Sequence, residues 1–200
     1  MALVRMTKHG HACVRLSAEG RVLVVDPGAW SPDVPLDDAD AVLVTHEHAD
    51  HVDAARVARL GIPVFAPADA RIPGLETIGV RAGEEFTAAG FRVRAVGGRH
   101  AEITDGEPDC ANLGYVVDGD FYHPGDSLHV PEVAVRTLAI PAQASWFKMG
   151  EAISFARAVA PERSFAIHDG QVNERGLASV NGWLGENARG YRYLAPGETL

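Results

Sequence analysis

A seven-residue segment rich in polar donors constrains the fold of this chain more than any other feature. The segment, Thr45-His46-Glu47-His48-Ala49-Asp50-His51, directly follows the apolar run 41–44, which is typical of a short buried strand. Side chains alternate along an extended chain, so His46 and His48 can point to the same side and hold one metal ion. Imidazole and carboxylate groups suit zinc, iron or manganese. The segment therefore predicts a metal site at the end of a strand.

Asp50 and His51 add two further donors to this site. They begin a segment whose amphipathic pattern predicts a helix over 52–60, which Gly61 ends. At the start of such a helix, the two side chains would face a second position beside the first. A loop that is rich in histidine by chance seldom shows this order after a buried strand, so we prefer the metal-site interpretation.

The composition fits one domain over residues 1–200, because 200 residues bury a substantial core but are too few for two ordinary domains. Lys and Arg number 18 against 27 Asp and Glu, which gives a net charge of −9. Nucleic-acid binding needs a basic face, so no nucleic-acid partner is expected. An anionic small-molecule substrate is compatible with this charge, because bound divalent cations would offset the acidity locally.

Cysteine content and hydropathy indicate the compartment. Cys13 and Cys110 give no disulfide framework and fit a reducing cytoplasm, where we expect the protein. Cys13 lies in an alternating strand pattern and is predicted in the core, whereas Cys110 lies in a loop near a candidate donor and is not expected to touch the site. The amino terminus carries no long apolar stretch, so neither a signal peptide nor a membrane partner is expected. The oligomeric state is open between a monomer and a homo-oligomer.

Strand and helix patterns alternate in two successive halves of the chain. Predicted strands cover 3–6, 12–16, 21–25, 41–44, 63–66, 77–81, 85–88, 91–96, 113–117, 120–123, 138–141 and 164–167, and further helices cover 149–160 and 173–184. The strands 77–81, 85–88 and 91–96 are predicted to form one meander. Two sheets packed face to face with helices outside, an α/β fold in four αββα layers, would bring the strand ends to one rim.

The segment 45–51 resembles the signature of the metallo-β-lactamase superfamily. The resemblance implies an αββα sandwich with one or two metal ions at its mouth. Three further candidate donors, His100, Asp126 and His168, each stand at the carboxyl end of a predicted strand. The resemblance implies a first metal held by His46, His48 and His100, a second held by Asp50, His51 and His168, and Asp126 as the bridge. Two divalent ions are thus expected, with zinc preferred and manganese or iron sharing the same donors.

A narrower resemblance comes from segments outside the donor set. Residues 10–14, 122–127 and 146–150 resemble a branch of small metal-dependent hydrolases related to the ascorbate-phosphate lactonases and to the UPF0173 proteins. Lys148 stands where Thr is usual in that branch. The superfamily resemblance also implies that Asp26 supports the base of the metal site, although an Asp in the sequence Asp-Pro-Gly equally suits a turn.

The predicted activity is hydrolysis of a small ester, lactone or phosphodiester bond by water that a metal pair activates. Asp50 is the candidate for orienting the attacking water. His11 and His129 are predicted at the rim of the cleft in contact with substrate, with a buried or surface position as the alternative. Trp146 and Lys148 could clamp an anionic, partly apolar substrate, or could be a packed Trp and a solvated Lys. His123 is predicted either to support the metal ligands from outside or to be packed within a strand pair, and His9 is predicted on the surface.

Three other functions use similar residues. The same fold supports iron-dependent oxidoreductases and persulfide-type dioxygenases, and His and Asp donors are compatible with iron. A ribonuclease-like phosphodiesterase would need an RNA-binding arm, which a compact acidic chain does not offer. A non-catalytic metal-binding module would be expected to lack at least one of the seven donors, and all seven are present.

Overall fold

Two six-stranded β-sheets form the centre of the structure, a computed structural model that describes residues 4–105 and 110–200. The first sheet contains, in spatial order, β1 (Arg5–Lys8), β2 (Val14–Ala18), β3 (Arg21–Val25), β4 (Ala41–Leu43), β5 (Val64–Pro67) and β6 (Ile78–Val80). The strands β1 to β3 are antiparallel, and β3 to β6 are parallel. Parallel strands are buried on both faces, which explains the continuous apolar sequences of β4 and β5.

The second sheet contains the remaining six strands. In spatial order they are β7 (Glu85–Ala88), β8 (Phe91–Gly97), β9 (Leu113–Val117), β10 (Phe121–His123), β11 (Thr137–Pro141) and β12 (Arg163–Ile167). The pairs from β7 to β10 are antiparallel, whereas β10, β11 and β12 are parallel. The inner faces of the two sheets share one core, in which Leu23 and Leu43 pack with Tyr115 and Phe165.

Helices cover both outer faces of the paired sheets. The helix α1 (Ala54–Ala58) and the short 3-10 helix Val34–Leu36 cover the first sheet, where Val57 packs with Val24 and Val42. The helices α2 (Met149–Val159) and α3 (Glu174–Asn187) cover the second sheet. The predicted αββα sandwich is therefore confirmed. Within the described residues, no helix is long and apolar enough to cross a membrane.

The directions of the strands bring the polar strand ends to one rim. Both β1 and β3 are antiparallel to β2, so they run in the same direction, and β4 runs with them. In the second sheet β8, β10 and β12 share a direction for the same reason. A backbone hydrogen bond joins the two sheets at these ends, where Leu113 N–H at the start of β9 donates to the Thr45 carbonyl after β4 at 2.9 Å. Side chains that follow these six strands therefore meet.

The predicted meander is wrong. The strand β6 pairs with β5 in the first sheet, whereas β7 pairs with β8 in the second, so the chain changes sheet between them. Alternation in a sequence shows which side chains share a face, but it does not show which strand is the partner.

Several predicted element bounds differ from the structure by a few residues. The strands β1 and β2 both lie further along the chain than predicted, because a turn in which Cys13 N–H donates to the Gly10 carbonyl occupies the positions before β2. Leu3, where the first strand was predicted to start, lies outside the described residues. The helix α1 is shorter than predicted, since His51 and Val52 form a turn on the His48 carbonyl. The helix α3 continues to Asn187 instead of ending at 184.

Candidate metal centre

The structure brings all seven predicted donors together at the common rim. Their ligand atoms form three groups, and within each group the atoms lie within 4.8 Å of one another. The groups are His46, His48 and His100; His46, His51 and Asp126; and Asp50, His51 and His168 together with His11. The first and third groups match the two predicted metal positions, and Asp126 belongs to the group between them. The roles of these residues as ligands stay a prediction that this convergence supports.

Asp26, which follows β3, anchors the donor segment. Its Oδ1 accepts a hydrogen bond from the Thr45 backbone N–H at 2.8 Å, and its Oδ2 accepts from Thr45 Oγ1 at 2.6 Å and from His51 Nδ1 at 2.7 Å. The residue is fully buried and has a φ of +51°, a left-handed conformation that Asp tolerates better than most residues. Asp26 thus supports the base of the site, as the resemblance implied, and is more than a turn former.

Hydrogen bonds at Nδ1 fix the orientation of four donor histidines. His51 Nδ1 donates to Asp26, His100 Nδ1 donates to the Ala101 carbonyl at 2.6 Å, and His168 Nδ1 donates to the Gln143 carbonyl. Thr45 Oγ1 uses its own proton for Asp26, so it accepts from His46 Nδ1 at 3.1 Å. Each of these rings therefore turns Nε2 towards the centre, as outer hydrogen bonds commonly do for metal-binding histidines. His48 differs, since its Nδ1 lies 3.1 Å from His46 Nε2.

Several buried polar atoms at the centre have no hydrogen-bond partner in the described part of the chain. They are Nε2 of His51, His100 and His168 and Oδ1 of Asp126. His51 Nε2 lies 3.0 Å from Asp126 Oδ1, but the pair does not have the geometry of a hydrogen bond. Unpartnered polar atoms are costly in a protein interior, and cations would pair with all four. The donor set consequently fits bound divalent metal ions.

Asp126, which follows β10, is the central carboxylate. Its Oδ2 lies 3.3 Å from His100 Nε2 and 3.1 Å from His168 Nε2, and Trp146 Nε1 donates to the same oxygen at 3.1 Å. Burial opposes ionisation of this carboxyl group, but the imidazole of His51 and its neighbours outweigh burial and hold the pKa of Asp126 well below its ordinary value. The carboxylate is therefore ionised, which is the form that binds metal.

Three of the other donors are held in their metal-binding forms by a shifted pKa, and one is not. Burial, reinforced by the neighbouring His51, lowers the pKa of His46 well below its ordinary value, and burial also lowers the pKa of His48. Burial opposes ionisation of Asp50, but hydrogen bonding and charge from His11 and His51 lower its pKa to about 2. His51 is the exception. Although burial acts against its charged form, the carboxylates of Asp126 and Asp26 raise its pKa well above its ordinary value.

The four predicted substrate residues occupy different positions. His11 is buried, so its predicted place at the cleft rim is wrong, and its Nε2 lies 3.1 Å from Asp50 Oδ2. His129 is exposed, and its ring packs against Gly97. Trp146 is half-buried over the centre and bonds to Asp126, while the exposed Lys148 precedes α2 and its N–H donates to Glu151. For His129, Trp146 and Lys148, contact with a substrate stays a prediction.

Two residues near the centre were not identified from the sequence. The buried Asn112 accepts from the Asp126 N–H at 3.0 Å and donates to the Pro124 carbonyl at 2.9 Å, which fixes the turn that carries Asp126. Trp30 lies on the rim with half of its surface exposed, and its ring contacts His11 edge to face at 4.7 Å. The pattern of loop residues around either position gives no signal for these contacts.

The predictions for the remaining cysteines and histidines are confirmed for Cys13 and His123 and wrong for Cys110 and His9. Cys13 is fully buried in the core, whereas Cys110 Sγ lies 3.9 Å from His48 Nε2 and so reaches the candidate site. His123 is packed inside, where its Nε2 donates to the Ala12 carbonyl at 2.8 Å. The prediction of a surface position for His9 is wrong, because the turn after β1 folds this side chain inward until it is 7% exposed.

Comparisons with known proteins agree with this fold and site. A family model described as a beta-lactamase superfamily domain matches residues 5–168. The chain is 37% identical over 182 residues to Protein Rv0786c of Mycobacterium tuberculosis, which covers 84% of this chain and 85% of that protein. It is 30% identical over 202 residues to a UPF0173 metal-dependent hydrolase of Methanopyrus kandleri, with 84% of each covered. The solved structure of Igni18, a metallo hydrolase of Ignicoccus hospitalis, matches with a TM-score of 0.73 at 21% identity, over 98% of this chain and 97% of that one.

Fold, donor set and relatives together define one class of protein, the metal-dependent hydrolases built on an αββα sandwich. The chain belongs to the metallo-β-lactamase superfamily, since the family model matches well over half of its length. Within that superfamily it is similar to the UPF0173 proteins, as the segments outside the donor set had indicated.

Proposed function

We propose that this protein hydrolyses a small ester, lactone or phosphodiester substrate with water activated by two divalent metal ions, most simply zinc. The observation that carries the proposal is the pair of three-residue donor groups with Asp126 between them. A first position with three imidazoles and a second with two imidazoles and a carboxylate both suit zinc. Ions bound there would supply hydroxide from water near neutral pH and would polarise the carbonyl or phosphoryl oxygen under attack.

Asp50 is the residue that we expect to orient the attacking water. Its side chain is 19% exposed, against 5% for Asp126, so it can reach a water molecule in the cleft. Its pKa of about 2 keeps it ionised at neutral pH, and an ionised carboxylate accepts a hydrogen bond from water. The group is therefore suited to holding the water with a lone pair directed at the substrate.

The rim around the centre favours a small substrate with an apolar part and a negative charge. The indole rings of Trp30 and Trp146 offer apolar surface on the rim and over Asp126. The exposed Lys148 offers a positive charge at the start of α2. These three side chains come from two loops, which is where substrate selection commonly resides.

The proposal is tested with purified protein whose metal content has been measured and then removed with a chelator. Zinc should restore hydrolysis of bis-(p-nitrophenyl) phosphate or of a simple lactone, with a stoichiometry of two ions per chain. Asp126→Ala and His168→Ala should lose at least about 100-fold in kcat/KM, because each removes a donor. Glu162→Gln is the matched control, since Glu162 pairs with Arg136 at the opposite end of β12 and should leave turnover unchanged.

Two results would overturn the proposal. One is purified protein that holds iron and shows an oxygen-dependent or flavin-like redox activity without hydrolysis. The other is hydrolysis that survives in both donor variants, since turnover would then not depend on the proposed centre.

A further inference from the structure

His11 lies deep beside the second metal position, although it belongs to the turn between β1 and β2. Its side chain is 1% exposed, and its ring centroid lies 4.1 Å from that of His168. The residue has a φ of +46°, a conformation that costs free energy for a residue with a Cβ. Because its ligand atom lies within 4.8 Å of those of Asp50, His51 and His168, geometry alone would allow His11 to be a fourth ligand there.

The hydrogen bonds of the ring decide against a ligand role. The backbone N–H of Gly170 donates to His11 Nδ1 at 3.1 Å, so Nδ1 carries a lone pair and the ring proton lies on Nε2. His11 Nε2 lies 3.1 Å from Asp50 Oδ2, to which it therefore donates. The ring of His11 is oriented oppositely to those of His51, His100 and His168, whose Nδ1 atoms donate and whose Nε2 atoms have no hydrogen-bond partner among the described residues. A nitrogen that carries a proton has no lone pair for a metal.

We propose that His11 is a positioning residue that holds the Asp50 carboxylate at the second metal position by donating a hydrogen bond from Nε2. The inference rests on the proposed metal-binding function of the site. Asp50 Oδ2 lies 3.7 Å from His168 Nε2 and 4.0 Å from His51 Nε2, so the oxygen that His11 holds is the one that faces both other donors of this position. Without that hydrogen bond, the partly exposed Asp50 side chain is free to rotate away.

The backbone around His11 reinforces this arrangement. His168 N–H donates to the His11 carbonyl at 3.0 Å, so the same residue also fixes the start of the segment that carries His168. Asp169 forms an ion pair with the fully buried Lys8, which ties that segment to the end of β1. A Cβ on Gly170 would lie 3.0 Å from His11 Nδ1, so a glycine allows the close approach that fixes the tautomer. Hydrogen bonds from the segment 168–170 thus fix both the backbone and the ring of His11.

The first test is stepwise zinc binding to metal-free protein, measured by competition with a chromophoric chelator. His11→Phe keeps a ring of similar size but has no donor, so it should weaken the second zinc about 10–100-fold and leave the first within a few-fold. His11→Gln offers an amide N–H to Asp50 and should recover most of the affinity. Gly170→Ala keeps the backbone N–H but displaces the ring, so it should weaken the second zinc as well. His129→Phe is the matched control and should leave both affinities unchanged.

The second test is the ¹⁵N NMR shift of the histidine rings in the wild-type protein, which needs no variant to fold. Before and after zinc is added, His11 should show a protonated Nε2 and an unprotonated Nδ1.

Two results would make His11 a ligand and overturn the proposal. One is an Nε2 atom that is unprotonated and whose NMR shift changes when zinc binds. The other is an affinity for the second zinc ion that stays as low in His11→Gln as in His11→Phe. Unchanged zinc affinities with a raised KM in His11→Phe would make it a substrate contact and also overturn it. A wild-type protein that binds no second zinc would instead refute the proposed two-metal function.

Discussion

At the scale of single residues, Asp26 and Asp118 show how one backbone conformation serves two purposes. Both have φ near +50°, and both accept a hydrogen bond from a backbone N–H, Asp26 from Thr45 and Asp118 from Arg92. Asp118 does this in the turn between β9 and β10, with part of its surface in water. Asp26 does it with no exposed surface and also accepts from the His51 ring. Only Asp26 therefore links the fold to the metal centre.

Asp26→Asn should lower both the stability of the fold and the affinity at the proposed second metal position. An amide has one acceptor oxygen, so it cannot accept hydrogen bonds on both sides from Thr45 and His51. The loss should lower the free energy of unfolding by about 3 kcal/mol and weaken the second zinc about 10-fold or more. Urea unfolding and zinc titration measure the two effects. Asp118→Asn is the control and should change neither by much, and equal behaviour of the two variants would contradict this account.

The convergence of the candidate donors could be predicted from the sequence because each one follows a strand. His100, Asp126 and His168 stand after apolar runs that the sequence marks clearly, and parallel strand ends meet at one rim. The state of each ring could not be predicted in the same way. The tautomer of His168 depends on the Gln143 carbonyl and that of His11 on the Gly170 N–H, and these contacts form only when distant segments pack.

At the scale of elements, the turn after β3 packs directly on the donor segment. The sequence Asp26-Pro27-Gly28 crosses the backbone of Asp50 so closely that a Cβ on Gly28 would lie 1.8 Å from the Asp50 carbonyl oxygen and 2.6 Å from His51 N. Backbone cannot move aside as a flexible side chain can. The glycine is required by this contact and not by its own φ.

Gly28→Ala should therefore displace the donor segment. We expect the free energy of unfolding to fall by at least about 2 kcal/mol and the affinity for zinc to fall with it, because overpacking against backbone forces the segment to shift. Gly182→Ala is the control of opposite sign. Gly182 lies inside α3 with open space around it, so Ala should stabilise the protein by about 0.5–1 kcal/mol. Thermal unfolding of both variants checks the prediction, and a Gly28→Ala variant as stable as the wild type would refute it.

The positions of the strands could be predicted from the sequence, but the pairing of the strands could not. Most strands lie within two residues of their predicted positions, because alternation and apolar runs are local properties of the chain. The pairing of β6 with β5 was missed because it is not local. The turn at 81–84 looks like any hairpin turn, yet it carries the chain from one sheet to the other.

At the scale of the whole molecule, buried neutral histidines couple stability to pH. His123 is buried, and burial lowers its pKa, although the Asp26 carboxylate and the Ala12 carbonyl offset part of the effect. Burial and the neighbouring Arg15 lower the pKa of His9. Below about pH 6.5 the unfolded chain takes up protons at these positions that the folded protein does not, so acid favours unfolding.

The free energy of unfolding should fall as the pH drops from about 6.5 to about 5, by up to about 1.4 kcal/mol per pH unit for each such histidine. Urea unfolding at several pH values measures the slope. His123→Gln removes one titrating group and should show a smaller slope than the wild type. A wild-type stability that is constant or rises on acidification would contradict the assignment of these rings as buried and neutral.

Metal removal should destabilise the molecule as a whole, because the donors come from both sheets. His46, His48, Asp50 and His51 follow β4 of the first sheet, whereas His100, Asp126 and His168 follow strands of the second. A ligand present at about 1,000 times its Kd stabilises the folded state by about 4 kcal/mol, which for a chain of this size corresponds to roughly 8–16 °C in Tm. A chelator should therefore lower the Tm of zinc-loaded protein by roughly 10 °C, and zinc should restore it.

The variant Asp126→Ala lacks the central carboxylate between the sheets, so most of this fall in Tm on chelation should disappear. The control Glu162→Gln should show the same fall as the wild type. A Tm that does not respond to the chelator would mean that no cation joins the two sheets at the rim.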